Sequence, residues 1–181
     1  MRTSTKPATI NSPISRTPVR AERTDDSHAA LALAVLGEFR LIFKSARKHF
    51  NSVQDRAGVS GAQLWVLSAI DRTPGMRVTE LAKSMSIHQS TASNLVERLE
   101  RNKLIVRQRD DEDQRVVRLQ LTTAGKKIVA KAPGPPEGIL PHALKQLSFQ
   151  DLLELRAKLV KLTGHLVIRD ARGKTTPLSE M

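Results

Sequence analysis

The chain contains no cysteine, so a disulfide is impossible and thiol-based redox sensing is excluded outright. Aromatic residues make up only 3% of it, which leaves Leu, Val, Ile and Ala to form the core and favours packed helices over a β-sandwich. No apolar run approaches the roughly 18 residues that a membrane-spanning helix needs. The opening stretch MRTSTKPATINSPISRTPVR lacks the apolar segment of a secretory signal, and its three prolines oppose an amphipathic transit helix. A chain without membrane segments, working in the cytoplasm, is the expectation. Acids are in deficit as well: 30 Lys and Arg stand against 18 Asp and Glu in 181 residues, a net charge of +12. An excess of this size points to a polyanionic partner, nucleic acid above all, with solubility alone as the other reading.

The catalytic repertoire is equally thin. There is no cysteine nucleophile and no phosphate-cradling glycine loop, and the clustered acids Asp110 to Asp113 fall where solvent would keep them ordinary carboxylates. The five histidines, His28, His49, His88, His142 and His165, lack the close spacing of zinc ligands. The sequence therefore predicts a non-enzyme with no metal and no cofactor.

Residues 1 to 28 are polar and proline-bearing and are expected to be disordered. From Ala29 onward Leu31, Val35, Phe39, Ile42, Ala46 and Phe50 recur at steps of three and four, one face of a long helix. Ser60 is a candidate N-cap for GAQLWVLSAID, which stops at the Pro-Gly turn of RTPG. A short helix TELAKSM follows with Thr79 as its N-cap, and SIH separates it from QSTASNLVERLERN. KLIVRQR and VVRLQL read as two strands of a hairpin, the second alternating Val117, Leu119 and Leu121 with Arg118 and Gln120. LTTAGKKIVAKA resumes helix until PGPPEG breaks it. A short helix is expected around Ile139 to Leu147, then a capped start at Ser148, with Asp151 three residues on, to a final helix striped by Leu152, Leu155, Leu159, Leu162 and Leu166. After Gly164 a polar tail is expected to fray.

Residues 78 to 99 carry the spacing of a helix-turn-helix. Leu81, Ala82, Met85, Ile87, Ala92, Leu95, Val96 and Leu99 turn inward, with small Ala82 suiting the close crossing. Outward on the second helix stand His88, Gln89, Ser90, Ser93, Asn94, Glu97, Arg98 and Arg101. Short hydrogen-bonding side chains are what a major groove accepts, since Gln and Asn pair with adenine N6 and N7 and Ser can donate or accept. The alternative is a solvated surface, although such a surface usually carries more Lys and Glu than HQSTASN.

A helix-turn-helix followed at once by a hairpin is a winged helix. The stretch LAKSMSIHQSTASNLVERLERNKLIVRQRDDEDQRVVRLQLTTAG resembles the MarR family of bacterial transcriptional regulators, most specifically in Asp113-x-Arg115 followed by LQLTTAG. The likeness extends more loosely over Ala29 to Leu166. It implies a mainly α fold with a small β-hairpin wing, a winged helix-turn-helix at about 60–122, dimerisation helices at about 29–54 and 123–167, and a polar tail at 168–181. It further implies a dimeric repressor of a pseudo-palindromic operator in double-stranded DNA, released by a small ligand. On this likeness Gln89, Ser90, Thr91, Ser93 and Asn94 face DNA on a recognition helix running from Gln89 to Asn102, which also carries Arg98. Arg115 is the wing-tip arginine and Asp113 the acid that holds it. The effector would lie near Phe43, Arg47, Trp65 and Ala69, although Trp65 reads equally as core and Arg47 as solvated. The chain departs from the family in placing Ser86 at a turn position usually given to glycine, and in the PGPPEG break where many members run one long helix. An architectural or protein-binding winged helix uses the same fold, and intramolecular packing of the two leucine stripes is the alternative to a dimer.

Overall fold

The computed structural model describes residues 19–110, 113–167 and 170–180, with side chains from residue 26 onward. It divides into two units, Met1–Arg40 and Leu41–Met181. The first consists, among its described residues, of the opening part of helix α1 (Val19–Ala57). This helix begins ten residues before the hydrophobic periodicity does, so the expected disordered tail is too long at its C-terminal end. Between Val19 and His28 the only apolar residues are Val19 and Ala21, so the sequence there gives no periodic signal. The expectation for residues 1–18 lies outside the described residues.

The second unit holds the core. Helices α2 (Gly61–Arg72), α3 (Val78–Met85) and α4 (Gln89–Arg101) are followed by strands β1 (Ile105–Arg109) and β2 (Val117–Leu121) and by helices α5 (Thr123–Lys131), α6 (Ile139–Leu144) and α7 (Phe149–Gly164). Two short 3-10 turns, Ala171–Thr175 and Leu178–Glu180, occupy the segment expected to fray. The largest fully buried side chains among the described residues are Val53 of α1, Leu64, Val66, Leu67 and Ile70 of α2, Leu81 of α3, Val96 and Leu99 of α4, and Ile105 and Leu119 of the strands. Each contributes about 1.5 to 3 kcal/mol by leaving water, so an aliphatic core suffices without aromatic bulk. Trp65 is half-buried and packs against this cluster.

Local chemistry sets most of the helix ends. Ser60 caps α2 by accepting from the Gln63 N–H while Gln63 Oε1 accepts from the Ser60 N–H at 2.9 Å, a reciprocal pair. Ser148 does the same service for α7, accepting from the Asp151 N–H at 3.1 Å. Helix α3 starts earlier than expected, at Val78 with Arg77 as its N-cap rather than Thr79, because Glu80 reaches back to accept the Arg77 N–H at 2.8 Å. Ser86 occupies the left-handed region, φ 53° and ψ 40°, so the turn keeps the geometry that glycine usually provides. Helix α6 ends at Leu144, three residues short of the expected Leu147.

The wing is an antiparallel pair with Ile105 opposite Leu121, Arg107 opposite Leu119 and Arg109 opposite Val117. It is tied to the helices along the outer side of β2, where Gly75 N–H donates to Leu119 O at 2.9 Å and Leu119 N–H to Met76 O at 3.0 Å. Gly75, at φ 82°, lets the Pro-Gly turn bring Met76 alongside the strand. The hairpin therefore cannot swing independently of the helix-turn-helix.

The segment between α5 and α6 is anchored to the C-terminal half of α1. His49 is buried and makes a hydrogen bond to the Pro135 backbone, and burial lowers its pKa from the ordinary 6.5 against the upward pull of that bond. With the folded value below the unfolded one, the folded chain binds the proton less readily. Stability is then complete above about pH 6.5 and falls as pH drops through that value towards the lowered folded one. Urea unfolding is expected to give a lower midpoint near pH 5 than near pH 7.5, and His49→Gln should flatten that part of the fall. An equal slope in the variant would assign the effect to other groups.

Among the described residues, no helix is long and apolar enough to cross a membrane, and no three His, Asp or Glu side chains come together as a metal site would require.

Candidate nucleic-acid interface

Helix α4 sorts its side chains sharply. Ala92, Leu95, Val96 and Leu99 are buried, whereas Gln89, Ser90, Asn94, Glu97, Arg98 and Arg101 are exposed. Thr91 and Ser93 are half-buried and flank the buried stripe, so they are less outward than their positions in the sequence implied. The helix ends at Arg101, with Asn102 as its C-cap. Its N-cap residue, His88, forms no side-chain cap bond, which leaves the first-turn N–H groups without that partner beside an exposed polar face. Helix α3 supports α4 from behind through Leu81, Ala82 and Met85, and Ile87 N–H closes the turn on Ala82 O at 3.0 Å.

The wing tip is organised by its acids, in a way the sequence did not reveal. Asp113 Oδ1 accepts from the backbone N–H of Arg115 at 2.9 Å, and Asp113 O accepts from Val116 N–H at 2.8 Å. The acid thus shapes the turn from which Arg115 projects. The contact is made to the backbone of Arg115, since an Asp two residues before an exposed N–H readily closes a local turn. Arg115 is exposed and has no ion pair among the described residues. Asp110, one residue beyond β1, pairs with the Arg118 guanidinium of β2 beside the hairpin tip. Asp111 and Glu112 lie outside the described residues.

Further cations surround this face. Arg107 Nε lies 3.0 Å from Glu100 Oε2, linking β1 to α4, and Arg101 and Arg109 stand exposed. Arg98 is approached by the end of the chain: Glu180 Oε2 lies 3.6 Å from Arg98 Nη1. Sequence reading missed this partner, because nothing in PLSE is periodic or distinctive. Arg2, Lys6, Arg16, Arg20 and Arg23 of the N-terminal segment have side chains outside the described residues.

The four residues proposed to surround an effector have unlike environments. Ala69 is sealed in the core, Trp65 is half-buried, Arg47 is exposed and Phe43 is 65% exposed. The two cavities beside α4, of about 290 and 330 Å³, include none of the four.

Comparison with known proteins covers the same elements. The MarR family model matches residues 57–116, from the end of α1 through the wing tip. The HTH-type transcriptional repressor MdtR of Bacillus subtilis is 26% identical over 113 residues, spanning 62% of this chain and 73% of that protein. The organic hydroperoxide resistance transcriptional regulator of the same organism is 27% identical over 125 residues, 67% of this chain and 84% of its own. Among solved structures, the S. aureus MepR–DNA complex is 26% identical with a TM-score of 0.50, covering 70% of this chain and 91% of that one. A MarR family transcription regulator at 20% identity and a TM-score of 0.52, covering 78% and 93%, shares the fold. The helix pair, β1 and the Asp113-x-Arg115 tip fall inside the span that the MarR family model matches, and over these elements the chain is similar to winged-helix transcriptional regulators.

Proposed function

We propose that this protein is a sequence-specific double-stranded DNA-binding regulator that acts as a homodimeric repressor on a pseudo-palindromic operator, in the bacterial cytoplasm. The observation that carries the reading is the division of α4, which buries an unbroken apolar stripe and leaves Gln89, Ser90, Asn94 and Arg98 exposed on a rigid helix. Those groups have the reach and the donor and acceptor pattern to read base edges. The exposed wing arginine, Arg115, projects from a turn that Asp113 holds, so little freedom is lost when it enters a minor groove. DNA bound to the related MepR and the repressor role of the related MdtR support the same assignment.

A dimer is supported by apolar surface that the single chain leaves open. In the first unit Leu31, Leu33, Val35 and Leu36 of α1 are exposed, and in the second Leu153, Leu155, Leu159, Val160 and Leu162 of α7 are. Apolar stripes of this length are typical of interfaces, and a second copy covers both while placing two recognition helices about 34 to 36 Å apart, one turn of duplex. Release by a small ligand accompanies this reading. The residues assigned to it are Phe43, Arg47, Trp65 and Ala69, and the absence of cysteine rules out thiol oxidation as the signal.

Selection of duplexes from a random pool at moderate salt tests the assignment. Enrichment of an inverted repeat is expected; if no sequence is enriched, the specific-regulator reading fails and an architectural or protein-binding role replaces it. On the selected duplex, Asn94→Ala and Arg115→Ala should each weaken binding by about 1 to 3 kcal/mol without changing the thermal midpoint. Asn94→Ala should relax preference at one base position. An unchanged affinity for Arg115→Ala would remove the wing from the interface.

A further inference from the structure

The segment after α7 returns to the winged helix and lies on its DNA-facing side. Ser179 Oγ accepts from the Ala62 N–H at 2.8 Å, in the first turn of α2. Ser60 Oγ donates to Glu180 Oε1 at 3.2 Å, and the other carboxylate oxygen of Glu180 faces Arg98 at 3.6 Å. Pro177 is buried, and with Thr176 and Glu180 it forms one wall of a cavity whose other wall is α4, through Thr91, Asn94 and Arg98. An anionic group is therefore held in the way a phosphate can be held: against an arginine of α4 and beside the N-terminal end of α2.

We propose that the C-terminal segment Thr176–Glu180 is an autoinhibitory strap, with Glu180 standing in for a DNA phosphate at Arg98 and Ser60, so that duplex DNA must displace it to engage the first half of α4. The inference rests on the DNA-binding reading above.

The contacts are of the strength a reversible device needs. Glu180 and Arg98 both keep solvent access, their side chains 29% and 56% exposed, and such a pair is weak in water. The strap adds one buried proline and two hydrogen bonds to that pair, and it is tethered, which gives it an effective concentration in the millimolar range or above for a short linker. A polyanion with many phosphates outcompetes it. A single stray anion does not. The consequence is a threshold that discriminates against sparse nonspecific contacts in a chain of net charge +12.

The test compares the full chain with a form ending at Thr175 and with Glu180→Gln, on two probes: the duplex selected from the random pool and a random-sequence duplex of equal length. Hydrogen exchange at the Ala62 amide is followed in parallel without DNA. If the strap is docked in about nine molecules of ten, its removal tightens binding about tenfold, because apparent affinity scales with the competent fraction. Glu180→Gln should recover about threefold, the scale of one exposed ion pair, and the truncated form should gain about one unit of salt slope as Arg98 becomes available to a phosphate. In an Arg98→Ala background Glu180→Gln should change nothing. The Ala62 amide should exchange faster in the truncated form while the thermal midpoint holds. Equal affinity of the full and truncated chains overturns the strap alone, as does weaker binding by the truncated chain, which would make the segment a DNA contact. If neither form binds either duplex, the DNA-binding reading falls and the strap with it, whatever the exchange data show.

Discussion

Replacing Leu155 and Leu159 together by Asp is expected to leave a folded monomer that has lost most of its DNA affinity. Both leucines lie on the exposed face of α7, at 36% and 38% accessibility, so the protomer's own core does not depend on them. In a dimer each would contribute about 1.5 to 3 kcal/mol by burial, and an Asp in its place adds the cost of desolvating an unpaired carboxylate, several kcal/mol more. Four such sites across a two-fold interface exceed what a typical homodimer can absorb. DNA affinity then falls because the second recognition helix no longer arrives at a high effective concentration, a factor of about 10² to 10⁴. Light scattering after size exclusion reads the mass, and titration of the selected duplex reads the affinity. A double variant that stays dimeric would move the interface off α7. A wild-type chain that is monomeric at micromolar concentration would remove the dimer altogether.

The second large effect is expected from one methyl group. Gly125 sits in the first turn of α5, where helix propensity alone favours alanine by about 0.8 to 1.0 kcal/mol. Its environment reverses that sign. A Cβ at this position would lie 2.2 Å from the backbone oxygen of Leu104 and 3.5 Å from Leu121 Cδ2. The carbonyl cannot simply withdraw, because it accepts from Thr122 N–H at 3.0 Å and from Thr122 Oγ1 at 3.1 Å, while Thr122 Oγ1 in turn accepts from Gly125 N–H at 3.1 Å. These bonds fasten the start of β1 to the end of β2 and to α5, so Gly125→Ala must prise the wing's base apart. A loss of about 3 kcal/mol is expected, the upper range for overpacking, with a thermal midpoint lower by about 6 to 12 °C. Calorimetry of the variant at neutral pH decides it. A midpoint equal to or above that of the natural chain would mean the junction relaxes at no cost.

The contacts of Gly125 give the stretch LTTAG a physical cause. The threonine caps a helix and clamps a carbonyl, and the glycine lets that carbonyl approach. Reading the letters identified the pattern; the clearance of 2.2 Å supplies its cause.

The same division runs through the molecule. Elements whose cause lies within a few residues were readable: the three-and-four spacing of α1 and α7, the Ser60 and Ser148 caps, the Pro-Gly stop and the alternation that sets Leu119 inward. The helix pair and its outward polar face follow from the same short-range periodicity. Where a helix has few apolar residues the signal vanishes, and so the start of α1 at Val19 was not legible. Where a long side chain chooses among partners, composition names candidates without choosing. Glu80 takes the N–H of Arg77 and moves the start of α3, Asp113 takes the backbone N–H of Arg115, and Asp110 reaches Arg118.

By itself, then, the sequence determined a winged helix-turn-helix with an aliphatic core, a helix beginning at Gln89 with a polar outward face and a chain unable to use thiol chemistry. Tertiary structure alone decided that the leucine faces of α7 stay uncovered within the protomer, that residue 125 must lack a side chain, and that the final residues lie across α4. The reason is range. Periodicity and capping act over three or four positions, whereas Ser60 and Glu180 meet across 120 residues, and only the folded path of the chain brings them together.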